Sequence, residues 1–194
     1  EDGIRDYKVT GVQTCALPIS ARHIDHVHAD AICALTNHED GADAVKAAFG
    51  DGFAYVDWIR PGFQLSKLVS GLKDYEGVIL AHHGLIVWDD QSEKCYQKTL
   101  DAVATAEKYL ATLRKPPKAD FKHNDLSDAQ VIELLLTLRG KIGKRQVLKR
   151  DSRLRQIADR PDLSKVLNAG VASADHMLRI RPWSCELKVG RAHV

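Results

Sequence analysis

Apolar residues follow two rhythms along the chain. Up to Trp88 they form short alternating or continuous runs separated by turn residues, and from Ser92 onward they recur every three or four positions. Alternation over Arg22 to His28 predicts a strand, and Asp30 to Leu35 the start of a short helix packed behind it. Asn37 to Gly41 reads as a turn, Ala42 to Phe49 as a helix ended by Gly50, and Phe53 to Ile59 as an aromatic strand broken by Pro61-Gly62. Gln64 to Leu72 predicts a further short helix. Gly77 to Trp88 is β-branched and almost uncharged, which predicts a central strand, or two strands meeting at Gly84, with a histidine pair in mid-core.

Tyr96, Leu100, Val103, Ala106, Leu110 and Leu113 form one apolar stripe at helical spacing, so a long helix is expected from Ser92 to the stop at Pro116-Pro117. A linker-like stretch follows. Ser127 with Gln130 three residues on is a capping-box signal ahead of Val131, Leu134, Leu135 and Leu138, and predicts another helix. Beyond Gly140 the chain turns basic, with seven Lys or Arg between Lys141 and Arg155 against one Asp. The organisation expected is a main α/β domain over 21–115 and a helical, basic appendage over 116–189 that leads to a missing domain.

Composition narrows the function classes. The chain has 194 residues, 28 Lys plus Arg against 26 Asp plus Glu, a formal net charge of +2 and 44% hydrophobic residues, an ordinary globular balance. Clustered cations at Lys141 to Arg155 could neutralise phosphates, but no aromatic residues interleave them, so a solvated face is expected and no nucleic-acid partner. No apolar run approaches the roughly 18 residues of a membrane span, so no membrane partner is expected. Cys15, Cys33, Cys95 and Cys185 form no C-x-x-C pair, which argues against a disulfide framework and for a reducing cytoplasm. Cys33 and Cys95 read as buried core residues. No G-x-G-x-x-G occurs, so a dinucleotide-binding half is absent from this sequence.

The termini read differently from the rest. Gly11 to Ile19 (G-V-Q-T-C-A-L-P-I) corresponds to GGA GTT CAG ACG TGT GCT CTT CCG ATC, which resembles a common short-read sequencing-library adapter, and Glu1 to Thr10 continues it upstream. Gly190 to Val194 (G-R-A-H-V) fits the reverse complement of part of that adapter. Residues 1–20 and 190–194 are therefore expected to be adapter-like, and 1–19 and 190–194 to pack poorly, with genuine sequence from about Ala21 to Val189, truncated at both ends.

Nine histidines are the informative excess, and five of them fall in R-H-I-D-H-V-H and A-H-H-G. On a strand, residues two apart share a face, so His26 and His28 present both imidazoles to one side while Asp25 and Val27 face the other. Adjacent His82 and His83 on a strand point to opposite faces, so one of the two can add a third nitrogen. Three histidines with a position left open suit a catalytic zinc, since a closed four-ligand site admits no substrate. A lone H-x-H also occurs among ordinary core and surface histidines.

The flanks extend the pattern. H-I-D-H-V-H-A-D-A-I-C-A-L-T, then W-I-R-P-G-F, then L-A-H-H-G-L-I-V-W, in that order over Arg22 to Leu113, resembles the class II aldolase/adducin family. The resemblance implies a three-layer α/β/α fold with a mixed, largely antiparallel sheet, and zinc ligands at His26, His28 and His83. It implies a lyase: zinc-dependent retro-aldol cleavage of a phosphorylated ketose to dihydroxyacetone phosphate and an aldehyde, the metal stabilising the enediolate. It also implies a small sugar-phosphate substrate and a homo-oligomer. The family's general base, a Glu upstream of the H-x-H strand, and its glycine-rich phosphate segment would precede Ala21, so the sequence as it stands is expected to be inactive; Glu39, Glu76 and Glu93 match no catalytic motif. Ala174 to Pro182 (A-D-H-M-L-R-I-R-P) is similar to the connection after the aldolase part of bifunctional rhamnulose-1-phosphate aldolase/alcohol dehydrogenase proteins. That similarity argues for an aldolase over a sugar-phosphate 4-epimerase of the same superfamily, and the three histidines argue against a non-catalytic adducin-like interaction module. Arg60 could contact a phosphate, although a loop-capping role fits it better.

Overall fold

A computed structural model of the chain describes residues 19–113, 126–145, 157 and 160–179. Strand β1 (His23–Val27) is followed by helices α1 (Asp30–Thr36) and α2 (Gly41–Phe49), strand β2 (Phe53–Val56) and helix α3 (Phe63–Ser70). Strands β3 (Gly77–Leu80) and β4 (Gly84–Asp89) and the long helix α4 (Ser92–Thr112) come next. The sheet order is β1-β4-β3-β2. The β1/β4 and β4/β3 pairs are antiparallel and β3/β2 is parallel, so the sheet is mixed and largely antiparallel.

Alternation along the strands builds a core on each face. Ile79, Leu85 and Val87 pack with Ile32 and Leu35 of α1, Ala44 and Val45 of α2, and Cys95, Ala102 and Ala106 of α4. On the other face Ala54, Val56, Val78, Leu80, Ile86 and Trp88 meet Leu65 and Val69 of α3. The result is the expected three-layer α/β/α arrangement. Each fully buried Ile, Leu or Val contributes about 1.5–3 kcal/mol, and both faces of β3 and β4 are lined with such residues.

Two elements differ from their sequence expectation, and a third takes the second of its two expected forms. Strand β2 ends at Val56 rather than Ile59, because its register partner β3 ends at Leu80, opposite Val56. The Gly77 to Trp88 stretch is two strands, with Leu80 paired to Gly84 and a turn between them. The histidine pair therefore sits in a turn and not inside a strand. The buried face of α4 is Cys95, Thr99, Ala102 and Ala106, while Tyr96 and Leu100 of the expected stripe are exposed. Small side chains line the helix where it lies close against the sheet.

The described residues up to 113 and those from 171 to 179 form one compact unit, and the described residues from 126 to 170 form another. The first unit thus includes helix α7 (Ala174–Arg179), part of the stretch expected to be a single appendage. In the second unit, α5 (Asp128–Ile142) starts at the expected capping box: Ser127 accepts from the Gln130 amide and Gln130 accepts from the Ser127 amide. It closes on Gly143 in the left-handed region, φ 68°. Helix α6 (Leu163–Asn168) follows an Arg160–Asp162 ion pair. Residues 1–18 and 190–194, expected to be adapter-like, together with Cys15, Cys185 and residues 146–155 of the basic run, lie outside the described residues. Ile19 is partly buried against the second core, so the expectation of poor packing does not extend to it. Among the described residues, no helix is long and apolar enough to cross a membrane.

Candidate metal centre

His26 lies on β1 opposite Ile86 of β4, and His28 follows one residue after the strand ends. Asp25 points the other way, as alternation requires, and accepts a hydrogen bond from Thr99 Oγ1 of α4 at 3.1 Å. His83 closes the β3–β4 turn and is 4% exposed. Its neighbour His82 takes φ 56°, in the left-handed region that a non-glycine residue rarely adopts. Two bonds hold it there: its N–H donates to Thr36 Oγ1 at 3.2 Å, and its Nδ1 lies 2.9 Å from Asn37 Oδ1. His82 is thereby turned to the surface and His83 into the cluster. The residue after the pair must be small, since a Cβ on Gly84 would stand 2.4 Å from the Val27 carbonyl oxygen and 3.1 Å from His28 Cδ2.

The three imidazoles meet with ring centroids 4.9 Å apart for His26–His28, 4.9 Å for His26–His83 and 5.1 Å for His28–His83. One nitrogen from each lies within 4.8 Å of the other two, so the group could hold a metal ion. Hydrogen bonds choose which nitrogens are free. His26 Nδ1 is 2.8 Å from the Leu85 carbonyl oxygen and must donate to it, which leaves Nε2 with its lone pair. His28 Nδ1 is 2.9 Å from Asp175 Oδ2, with the same consequence. His26 Nε2, His28 Nε2 and both His83 nitrogens are buried and have no hydrogen-bond partner among the described residues.

Buried polar atoms are normally satisfied, so four orphaned nitrogens in one cluster call for a ligand. Three imidazoles suit a borderline-soft divalent cation such as zinc and leave coordination positions open. Their protonation state fits as well. Burial, then the neighbouring His26 and His28, push the His83 pKa down to about 4. Burial also lowers that of His26, against the opposing pull of the Leu85 carbonyl. Both rings are neutral near pH 7, the form that binds a metal.

Cys33 lies beneath the turn and donates to the His83 carbonyl oxygen at 3.7 Å. Burial, then Asp30 and Asp175, raise its thiol pKa, so it is a packed neighbour and not a thiolate ligand. Arg60 is exposed in the loop after β2, and Glu39, Glu76 and Glu93 are exposed and outside the cluster. Asp175 is the residue that sequence reasoning did not place at the site. Its signal was the A-D-H-M-L-R-I-R-P motif, which carries no spacing that points back to His28.

Over 93 residues, 46% of this chain, the sequence is 38% identical to a Bacillus subtilis (strain 168) protein named Uncharacterized oxidoreductase YuxG. The matched part spans 14% of that protein's length. Among solved structures, the N-terminal class II aldolase domain of a conserved protein from Thermoplasma acidophilum aligns with a TM-score of 0.47 and 28% identity, covering 51% of this chain and 47% of that one. The stretch that holds the sheet, α4 and all three clustered histidines matches the family model of the Class II Aldolase and Adducin N-terminal domain, over residues 19–110.

Proposed function

We propose that this chain carries the metal centre of a zinc-dependent class II aldolase that cleaves a phosphorylated ketose, of the rhamnulose 1-phosphate kind, to dihydroxyacetone phosphate and an aldehyde. The observation that carries this reading is the set of four orphaned imidazole nitrogens, contributed by His26, His28 and His83, within the stretch that matches the aldolase/adducin family. Zinc on these residues would supply Lewis-acid polarisation of the substrate's carbonyl oxygen. The protein's own contribution is preorganisation: the Leu85 carbonyl fixes the His26 ring, the β3–β4 turn fixes His83, and burial keeps the rings neutral and limits competing water.

Proton transfer is assigned to a Glu that the family places before the H-x-H strand. A positioned base is worth about 10²- to 10⁴-fold in rate, so metal bound without that Glu is expected to give little turnover. The oxidoreductase name of the Bacillus subtilis relative, of which the match spans 14%, is compatible with a parent protein that also carries an oxidoreductase part.

The test is a coupled assay for dihydroxyacetone phosphate with rhamnulose 1-phosphate and other ketose 1-phosphates, run on the chain and on an extended version that carries the family's Glu-bearing segment before the H-x-H strand. Zinc-dependent product from the extended protein, abolished by His26→Ala or His83→Ala, supports the reading. Epimerised pentose phosphate without aldehyde release would instead assign the centre to a 4-epimerase. Robust turnover by the 194-residue chain alone would show that the base lies within it.

A further inference from the structure

Helix α7 brings Asp175 to the metal centre from 147 residues beyond His28 in sequence. Its Oδ2 lies 2.9 Å from His28 Nδ1, whose side chain is 11% exposed. The returning segment is fastened beside the cluster by a second contact: the Asn37 side-chain amide donates to the Ala172 carbonyl oxygen at 2.7 Å, while Asn37 Oδ1 faces His82 Nδ1. One short segment therefore contacts the His28 ring directly and reaches the turn that presents His83 through Asn37.

We propose that Asp175 is a positioning residue of the metal centre, holding His28 as the Nδ1–H tautomer so that Nε2 offers its lone pair to the cluster. A carboxylate on the outer nitrogen fixes ring orientation and makes the imidazole a stronger donor. His26 receives the same service from a backbone carbonyl, and Asp175 gives His28 the equivalent from a side chain. The proposal rests on the metal-centre reading for its consequence, but its geometry concerns this chain's own residues.

Two readouts on the full chain test it. In metal-free protein, ¹⁵N NMR of the His28 ring is expected to report the Nδ1–H tautomer, to lose that preference in Asp175→Ala, and to regain it in Asp175→Asn, which keeps an oxygen acceptor. By competition against a chelator, Asp175→Ala is expected to weaken zinc binding about 10- to 100-fold, and Arg179→Ala, which removes the exposed partner of Asp175, to leave it unchanged. An unaltered His28 tautomer, or an unaltered zinc affinity, in Asp175→Ala overturns the proposal. Absence of zinc binding by the unmodified chain would sink the metal-centre reading instead, and the tautomer measurement would still decide what Asp175 does.

Discussion

Gly84 and His83 show how single residues set the site. The space that Gly84 leaves is occupied by the Val27 carbonyl and the His28 ring, so Gly84→Ala forces β1 and β4 apart where the histidines converge. Such overpacking costs typically 1–3 kcal/mol, and a drop of that size in a denaturant melt, with weakened zinc binding, is expected; a wild-type melt would contradict it. His83 has a pH signature in the metal-free protein. Its pKa is about 4 when folded, chiefly through burial, against about 6.5 when unfolded. Between those values the unfolded chain binds more protons, so its stabilising effect is complete above about pH 6.5 and is lost as pH falls towards 4, on the order of 3 kcal/mol in all. His26 is shifted in the same direction. Chelator-treated protein should therefore melt at progressively lower temperature below pH 6.5, and a flat profile across that window would refute the assignment. The pairing of His26 with His28 was legible in sequence because a strand has a period of two. The choice of His83 over His82 was not legible from strand geometry, since it depends on a turn with φ 56° at His82 and came only from the family resemblance.

Elements were legible in kind and less so in detail. The break at Gly84 and the capping box at Ser127 are local signals, and both are present where expected. The face of α4 is set by something no single helix records, namely how near the sheet comes. Of the expected stripe only Ala106 is fully buried; close packing added Cys95, Thr99 and Ala102 and left Tyr96 61% exposed. Ala102→Leu is thus expected to destabilise the chain by about 1–3 kcal/mol through overpacking, whereas Tyr96→Ala should change stability by no more than about 0.5 kcal/mol. Equal effects in thermal melts would restore the stripe read from spacing. β2 likewise stops where its partner strand does, a limit written in Leu80 and not in Asp57 to Ile59.

At the scale of the molecule, a local motif and a distant segment converge. The stretch from His26 to His83 supplies three imidazoles, and the described residues from 171 to 179 supply the carboxylate behind one of them. Sequence patterns state short-range order well and say little about which remote segment returns, so Asp175 emerged only from the fold. The central claim is that these three histidines share one metal. It is tested most directly by counting zinc per chain, by inductively coupled plasma mass spectrometry, in the purified protein after loading and desalting, beside His26→Ala and His83→Ala. The account predicts one zinc per chain in the unmodified protein and a small fraction of that in either variant. No retained zinc, or full retention when His83 is replaced, would contradict it.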